Sequence, residues 1–141
     1  MKMIIALVAF LALAACGPKS DDAPASGNGS SSSKSADFPA TAEERGHKLF
    51  KECAICHSVK KGDADRVGPN LFGVVGRKAA GVDGFAYSKA MQDSGIIWDD
   101  ETLSAYLENP QAFLRGNRMA YAGQSDPEKR ADLIAYLKTL K

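Results

Sequence analysis

Histidine and cysteine are scarce in this chain, two and three respectively among 141 residues, and tryptophan occurs once. Outside the Cys53–His57 segment no second cysteine or histidine pair exists, so a structural zinc site, which takes four such ligands, is excluded. Charge of one sign is also missing: 18 Lys and Arg against 17 Asp and Glu leave a formal net charge of +1. That balance gives no case for a nucleic-acid partner. There is no internal repeat and no convincing alternation of strand residues. The longest apolar run, Met3 to Ala15, falls short of the roughly 20 residues that cross a bilayer as a helix. A chain of this length holds one domain and little more, and a small core of that kind often needs a cofactor or crosslink.

What is present begins with a leader. Lys2 supplies a positive start, and the apolar run ends in small residues, so residues 1–15 read as a signal peptide. Leu13-Ala14-Ala15-Cys16 resembles the bacterial lipobox, whose cysteine is lipidated and becomes the new N-terminus. The alternative is ordinary cleavage at Ala12-Leu13-Ala14. Lipidation at Cys16 would tether the chain durably, since anchoring by two or more acyl chains is stable where one is marginal. Residues 16–40 then form a linker rich in Ser, Gly, Ala and Pro, which cannot bury enough apolar area to offset chain entropy. Treated as random coil, it spans about 25–30 Å r.m.s..

Residues 41–141 carry the fold, expected to be all-α with about four to five helices and long loops. Thr41 is a plausible N-cap, and Ala42, Gly46, Leu49 and Phe50 fall on one helical face. A short helix is expected around Ser88 to Asp93. Trp98-Asp99-Asp100-Glu101 opens another, placing Leu103, Tyr106 and Leu107 together before Pro110 closes it. Ser125-Asp126-Pro127-Glu128 reads as a capping box for the last helix, which carries Leu133, Ile134, Tyr136, Leu137 and Leu140. From His57 to Tyr87 the chain is mostly irregular, which is uncommon in a compact domain unless the loop serves a function. Something besides protein is expected to fill the middle.

Cys53-Ala54-Ile55-Cys56-His57 is a C-x-x-C-H sequence, the attachment signature for c-type haem. Two cysteines three residues apart can form thioethers to both vinyl groups of one porphyrin, with the adjacent histidine under the iron. A thioredoxin-like redox pair would expect a βαβ context, which the pattern lacks. The cysteine count closes on this reading, with Cys16 taking lipid and Cys53 and Cys56 taking haem. For the sixth iron ligand the candidates after the leader are His47, Met91 and Met119. His47 lies only ten residues before His57, and Met91 sits in an amphipathic stretch where packing accounts for it. Met119 lies in a loop between two helices, where helical periodicity cannot explain it as core.

These landmarks, taken in order, resemble class I cytochrome c of the mitochondrial type: CAICH at Cys53 to His57, GPNLFG at Gly68 to Gly73, GR at Gly76 and Arg77, GFAYS at Gly84 to Ser88, W-x-x-E-T-L at Trp98 to Leu103, YLENP at Tyr106 to Pro110, and DLIAYLK at Asp132 to Lys138. The resemblance covers about Glu43 to Lys141. It implies a one-electron carrier rather than an enzyme, a monomer with one covalent haem c ligated axially by His57 and Met119. It implies that the Pro69 carbonyl accepts from the His57 ring, that Tyr87 and Trp98 contact a haem propionate with Arg77 as countercharge, and that Tyr106 lies near the Met119 sulfur. Asn70, within GPNLFG, joins this cofactor-binding set. Gly46 and Tyr136 would meet where the first and last helices cross. The implied partners are a quinol–cytochrome c reductase-type donor and a cytochrome c oxidase or reaction-centre-type acceptor. With the leader, the expected place is the periplasmic side of a bacterial membrane, held there by the lipid anchor.

Two departures stand out. The family usually has proline-glycine-threonine-lysine before its ligand methionine, where this chain has Arg115-Gly116-Asn117-Arg118. Asn117 can still hydrogen-bond a propionate, but loss of the proline is expected to loosen the loop. Glu52, Gln111, Ala112, Ser125 and Asp126 stand where lysine is common in mitochondrial relatives. From Thr41 onward 15 Lys and Arg face 14 Asp and Glu, so the domain is nearly neutral.

Overall fold

The computed structural model describes residues 40–141. The leader, Cys16 and the linker up to residue 39 lie outside the described residues, together with the expectations placed on them.

Among the described residues five α-helices make the frame, and each begins where local chemistry satisfies its orphan N–H groups. Helix α1 (Ala42–Leu49) starts with a reciprocal cap: the Thr41 hydroxyl accepts from the Glu44 amide at 3.2 Å, and the Glu44 carboxylate accepts from the Thr41 amide at 2.9 Å. Ser88 caps the short helix α2 (Lys89–Asp93), and Asp99 caps α3 (Asp100–Glu108) in the same reciprocal way with Thr102. Helix α3 buries Leu103, Tyr106 and Leu107.

Pro110 does not simply close α3. The residue before a proline is driven out of the helical region, so Asn109 is extended, with φ −155°. Pro110 then occupies the first turn of a further helix, α4 (Pro110–Phe113), capped by the Asn109 side chain. The start of α5 (Pro127–Thr139) also differs from expectation by one residue. Asp126, not Ser125, is its cap, with a carboxylate that accepts from the Glu128 amide at 2.9 Å and the Lys129 amide at 3.4 Å. Proline at the first helical position makes the residue before it the cap.

Helices α1 and α5 cross at Gly46. A β-carbon there would lie 2.0 Å from the Asp132 carbonyl oxygen and 2.8 Å from the Tyr136 β-carbon, so only glycine permits this approach. Around the crossing, Tyr136 packs on His47 and Phe50, with ring centroids 5.0 and 5.2 Å apart. The Arg45 guanidinium grips the Asp132 carboxylate at 2.6 and 2.7 Å. Leu133, Ile134 and Leu137 of α5 join Leu103, Tyr106 and Leu107 of α3 in one buried cluster with Phe50, Val74, Ala79 and Trp98.

Between Ser58 and Tyr87 the described residues hold no helix, and the only strand-like feature is an isolated antiparallel bridge, Lys78 with Ile97. The loop is fixed instead by single backbone bonds to the frame: Gly73 donates to Leu140, Gly76 to Trp98 and Ala79 to Ile96, at 2.6, 2.7 and 2.8 Å. Buried Asn70 ties it internally. Its amide donates to the Lys60 and Asp63 carbonyls, and its oxygen accepts from the Phe72 amide at 2.7 Å.

Candidate functional site

Directly after α1 the chain tightens into a 3₁₀ turn, Cys53–Ile55. The Cys56 and His57 amides both donate to the Cys53 carbonyl, at 3.0 and 2.9 Å, so both thiols and the imidazole issue from a single turn. The cysteines are free and half-buried. Burial, with the Glu52 charge second, pushes the Cys53 thiol up to about 11. A redox-active pair needs a readily ionised thiolate, which the raised Cys53 thiol does not supply.

The His57 ring is fixed by Nδ1, which lies 2.7 Å from the Pro69 carbonyl oxygen. A carbonyl can only accept, so Nδ1 carries the proton and Nε2 keeps its lone pair. Burial lowers the His57 pKa, and the Pro69 bond opposes that only in part. The result is the neutral imidazole with one ring nitrogen oriented, which is how metal-binding histidines are held. Gly68 makes room for the ring, since a β-carbon there would sit 2.3 Å from the His57 Cε1.

His57, Cys53 and Cys56 line a cavity of about 530 Å³ together with Pro69, Arg77, Tyr87, Trp98, Tyr106, Met91 and Met119. Leu71, Val74, Phe85, Leu103, Leu133 and Leu137 make much of the remaining wall apolar. A mostly apolar cavity with a few convergent polar groups is the usual form of a cofactor site. The donor set fits haem c: two free thiols, an imidazole nitrogen with its lone pair available, and thioether sulfur, in a pocket of suitable size. His47 is not among the lining residues and stacks on Tyr136 at the α1–α5 crossing instead. Both methionines reach the cavity. Of the two sulfurs, that of Met119 has a polar neighbour, the Tyr106 hydroxyl at 3.9 Å. Burial pushes Tyr106 up to about 12, so the phenol stays neutral and remains a donor. Its ring packs on Trp98 with centroids 4.9 Å apart.

Arg77 lines the cavity half-buried, and desolvation lowers its pKa against the opposing influence of Tyr87. Its guanidinium donates to the Phe72 and Asn70 carbonyls at 3.1 and 2.9 Å. Asn70 and Asn117, by contrast, do not line the cavity. The two amide hydrogens of Asn117 go to the Pro110 and Leu114 carbonyls, at 2.7 and 2.8 Å. Neither is left for a propionate. Both asparagines organise loops that carry site residues. The apolar contributors from the long loop, Leu71, Val74 and Phe85, have no periodic spacing, so the sequence gives no signal for them. Tyr121 also lines the cavity, two residues beyond Met119.

A second, more open cleft of about 670 Å³ lies along Glu43, Asp100, Ser104, Ala131, Lys138 and Thr139. No cysteine, histidine or methionine lines it.

Comparison with known proteins agrees with this geometry. The family model described as Cytochrome c matches residues 43–141. Cytochrome c of Trypanosoma brucei brucei is 57% identical over 81 residues, covering 57% of this chain and 87% of that protein. Cytochrome c2 of Rhodopila globiformis is 47% identical over 103 residues, covering 73% of this chain and 96% of that protein. Among solved structures, cytochrome cH from Methylobacterium extorquens superposes with a TM-score of 0.64 at 45% identity, covering 67% of this chain and 95% of that one. With the haem-attachment turn, the oriented histidine and the apolar cavity all falling inside the matched segment, the chain belongs to the cytochrome c family.

Proposed function

We propose that this protein is a membrane-tethered one-electron carrier, with one haem c joined to Cys53 and Cys56 and ligated by His57 and Met119. The observation that carries the reading is the shared cavity: the free thiols, the Pro69-oriented imidazole and the Met119 thioether all line it. Bound there, haem c supplies an iron that accepts and releases one electron. The protein's own part is to hold its ligands still. Pro69 fixes the His57 tautomer, and the Tyr106 phenol, kept neutral by burial, holds a donor beside the Met119 sulfur. Thioether ligation and a low-dielectric pocket both raise the reduction potential. A rigid, apolar wall keeps reorganisation small between the two charge states.

The donor is a quinol–cytochrome c reductase-type complex, and the acceptor a terminal oxidase or reaction-centre-type complex; the likeness to a cytochrome c2 supports exchange with redox complexes in general. Exposed Ile55 and Val67 adjoin the attachment cysteines and offer apolar contact to such partners. Cys16 carries the lipid that holds the chain on the periplasmic side of the membrane.

The visible spectrum of the purified, oxidised protein tests the axial pair. The weak far-red band of methionine–ferric ligation is expected, and it should vanish in Met119→Ala. A high-spin spectrum in the wild type would mean an open iron and a catalytic or gas-binding role instead.

A further inference from the structure

We propose that Gln111 is a positioning residue for the iron ligand, holding Met119 by its backbone carbonyl. The inference rests on Met119 ligation as read above. Gln111 stands in the single turn of α4, eight residues before Met119, and its side-chain amide donates to the Met119 carbonyl at 3.1 Å. The Met119 amide donates in turn to Asn117 Oδ1 at 2.9 Å. Both backbone polar groups of the ligand residue are thus held by side-chain amides. The two amides also meet each other, with Gln111 Nε2 lying 3.4 Å from Asn117 Oδ1.

The loop needs such a clamp. It is bracketed by Gly116 and Gly123, both in the left-handed region at φ 85° and 102°, and no proline stiffens it between Leu114 and Ser125. Its far end is fastened independently, because the Gln124 amide donates to the Leu107 carbonyl at 2.8 Å and buried Arg130 donates to the Gln124 and Ser125 carbonyls. Its near end rests on Asn117. Among the described residues, only Gln111 reaches the Met119 carbonyl itself. A ligand loop already held in its bound shape loses less freedom when the sulfur binds iron, so each clamp bond strengthens ligation by preorganisation. Gln111 is exposed, so its substitution should leave the fold intact.

The test titrates the full-length, haem-loaded protein with imidazole, which competes for the sixth position, and follows bleaching of the far-red band. Gln111→Glu keeps the shape but offers no hydrogen to donate at neutral pH; Gln111→Leu removes the polar group altogether. In both, the imidazole concentration for half-bleaching should fall by about fivefold, the equivalent of one net hydrogen bond, with helix content by circular dichroism unchanged. Midpoints of both variants within about twofold of wild type would overturn the assignment, being too small for a lost hydrogen bond. An effect confined to Gln111→Glu would overturn it as well, since that marks charge repulsion rather than a missing donor. A wild-type protein without the far-red band would overturn Met119 ligation and this role together, an outcome distinct from failure of Gln111 alone.

Discussion

Gly46 lies so close to the backbone of Asp132 that a β-carbon at position 46 would stand 2.0 Å from the Asp132 carbonyl oxygen. Two opposing effects act on Gly46→Ala. Helix propensity favours alanine by about 1 kcal/mol, whereas overpacking a tight contact typically costs about 1–3 kcal/mol and sometimes more. The obstacle here is helix backbone, which cannot rotate aside as a side chain does, so the steric term wins. A clash of 2.0 Å with backbone puts the steric cost at the upper end of its range, so a net loss of up to about 2 kcal/mol is expected, read as a lower midpoint in denaturant unfolding of the holoprotein. A variant as stable as wild type would show that α1 and α5 slide apart at little cost.

The same crossing makes stability depend on acid. The Arg45 guanidinium, bound through both its Nε and a terminal nitrogen, holds the Asp132 carboxyl below its ordinary value of 3.8. A carboxylate depressed in the folded state stabilises above its unfolded pKa, and that contribution is lost as pH falls through the folded one. Asp132→Asn should therefore destabilise the protein at neutral pH. It should also flatten the decline of stability below about pH 4, near the unfolded aspartate value. Arg45 is half-exposed, so solvent screening keeps the effect modest. Parallel stability-versus-pH curves for wild type and variant would remove Asp132 from the acid response.

How far the sequence reveals the molecule depends on whether a feature is local. The caps at Thr41, Ser88 and Asp99 follow from chemistry within three residues, and so do the helix faces carrying Leu103, Tyr106 and Leu107. Pro110 is ambiguous by nature, since one proline can end a helix and start another; only the conformation of Asn109 shows that it does both here. The attachment turn is legible because its spacing is its mechanism. Asn117 illustrates the opposite case. Its residue type suits a propionate donor, yet its hydrogens go to Pro110 and Leu114, a choice made by the packing of α4 that no local pattern encodes. Gln111 reads in the sequence only as a lysine lost from the surface, because its partner at Met119 is set by how the loop folds back.

Gly68 offers a test of ligand positioning on the histidine side. A β-carbon there would fall 2.3, 2.7 and 2.8 Å from three atoms of the His57 ring. Gly68 also donates through its amide to the Cys56 carbonyl at 2.8 Å, so the backbone has little freedom to retreat. In Gly68→Ala the ring must tilt, which weakens the Nδ1 bond to Pro69 and turns Nε2 from its direction. The expected result is a low yield of haem-loaded protein and a spectrum shifted toward high spin. A normal low-spin spectrum at normal yield would show that the 67–70 segment yields instead of the ring.

The near neutrality of the folded domain bears on how it finds partners. Free electron carriers gain association rate from charge steering, which weakens as salt screens it. With 15 basic and 14 acidic residues after position 40, this domain has little net charge to steer with. The proposed tether would replace steering by raising effective concentration, which short flexible linkers in general set near the millimolar range. Electron transfer from the anchored protein to its membrane partner is therefore expected to change by no more than about twofold between 20 and 200 mM salt, since the screening length matters little once encounter is intramolecular. Flash or stopped-flow kinetics in proteoliposomes holding the lipidated chain and a reductase measure this directly. A steep fall with salt would mean that local charge, such as the lysines at 51, 60 and 61 near the attachment turn, still guides docking after tethering, and that the linker supplies proximity without orientation.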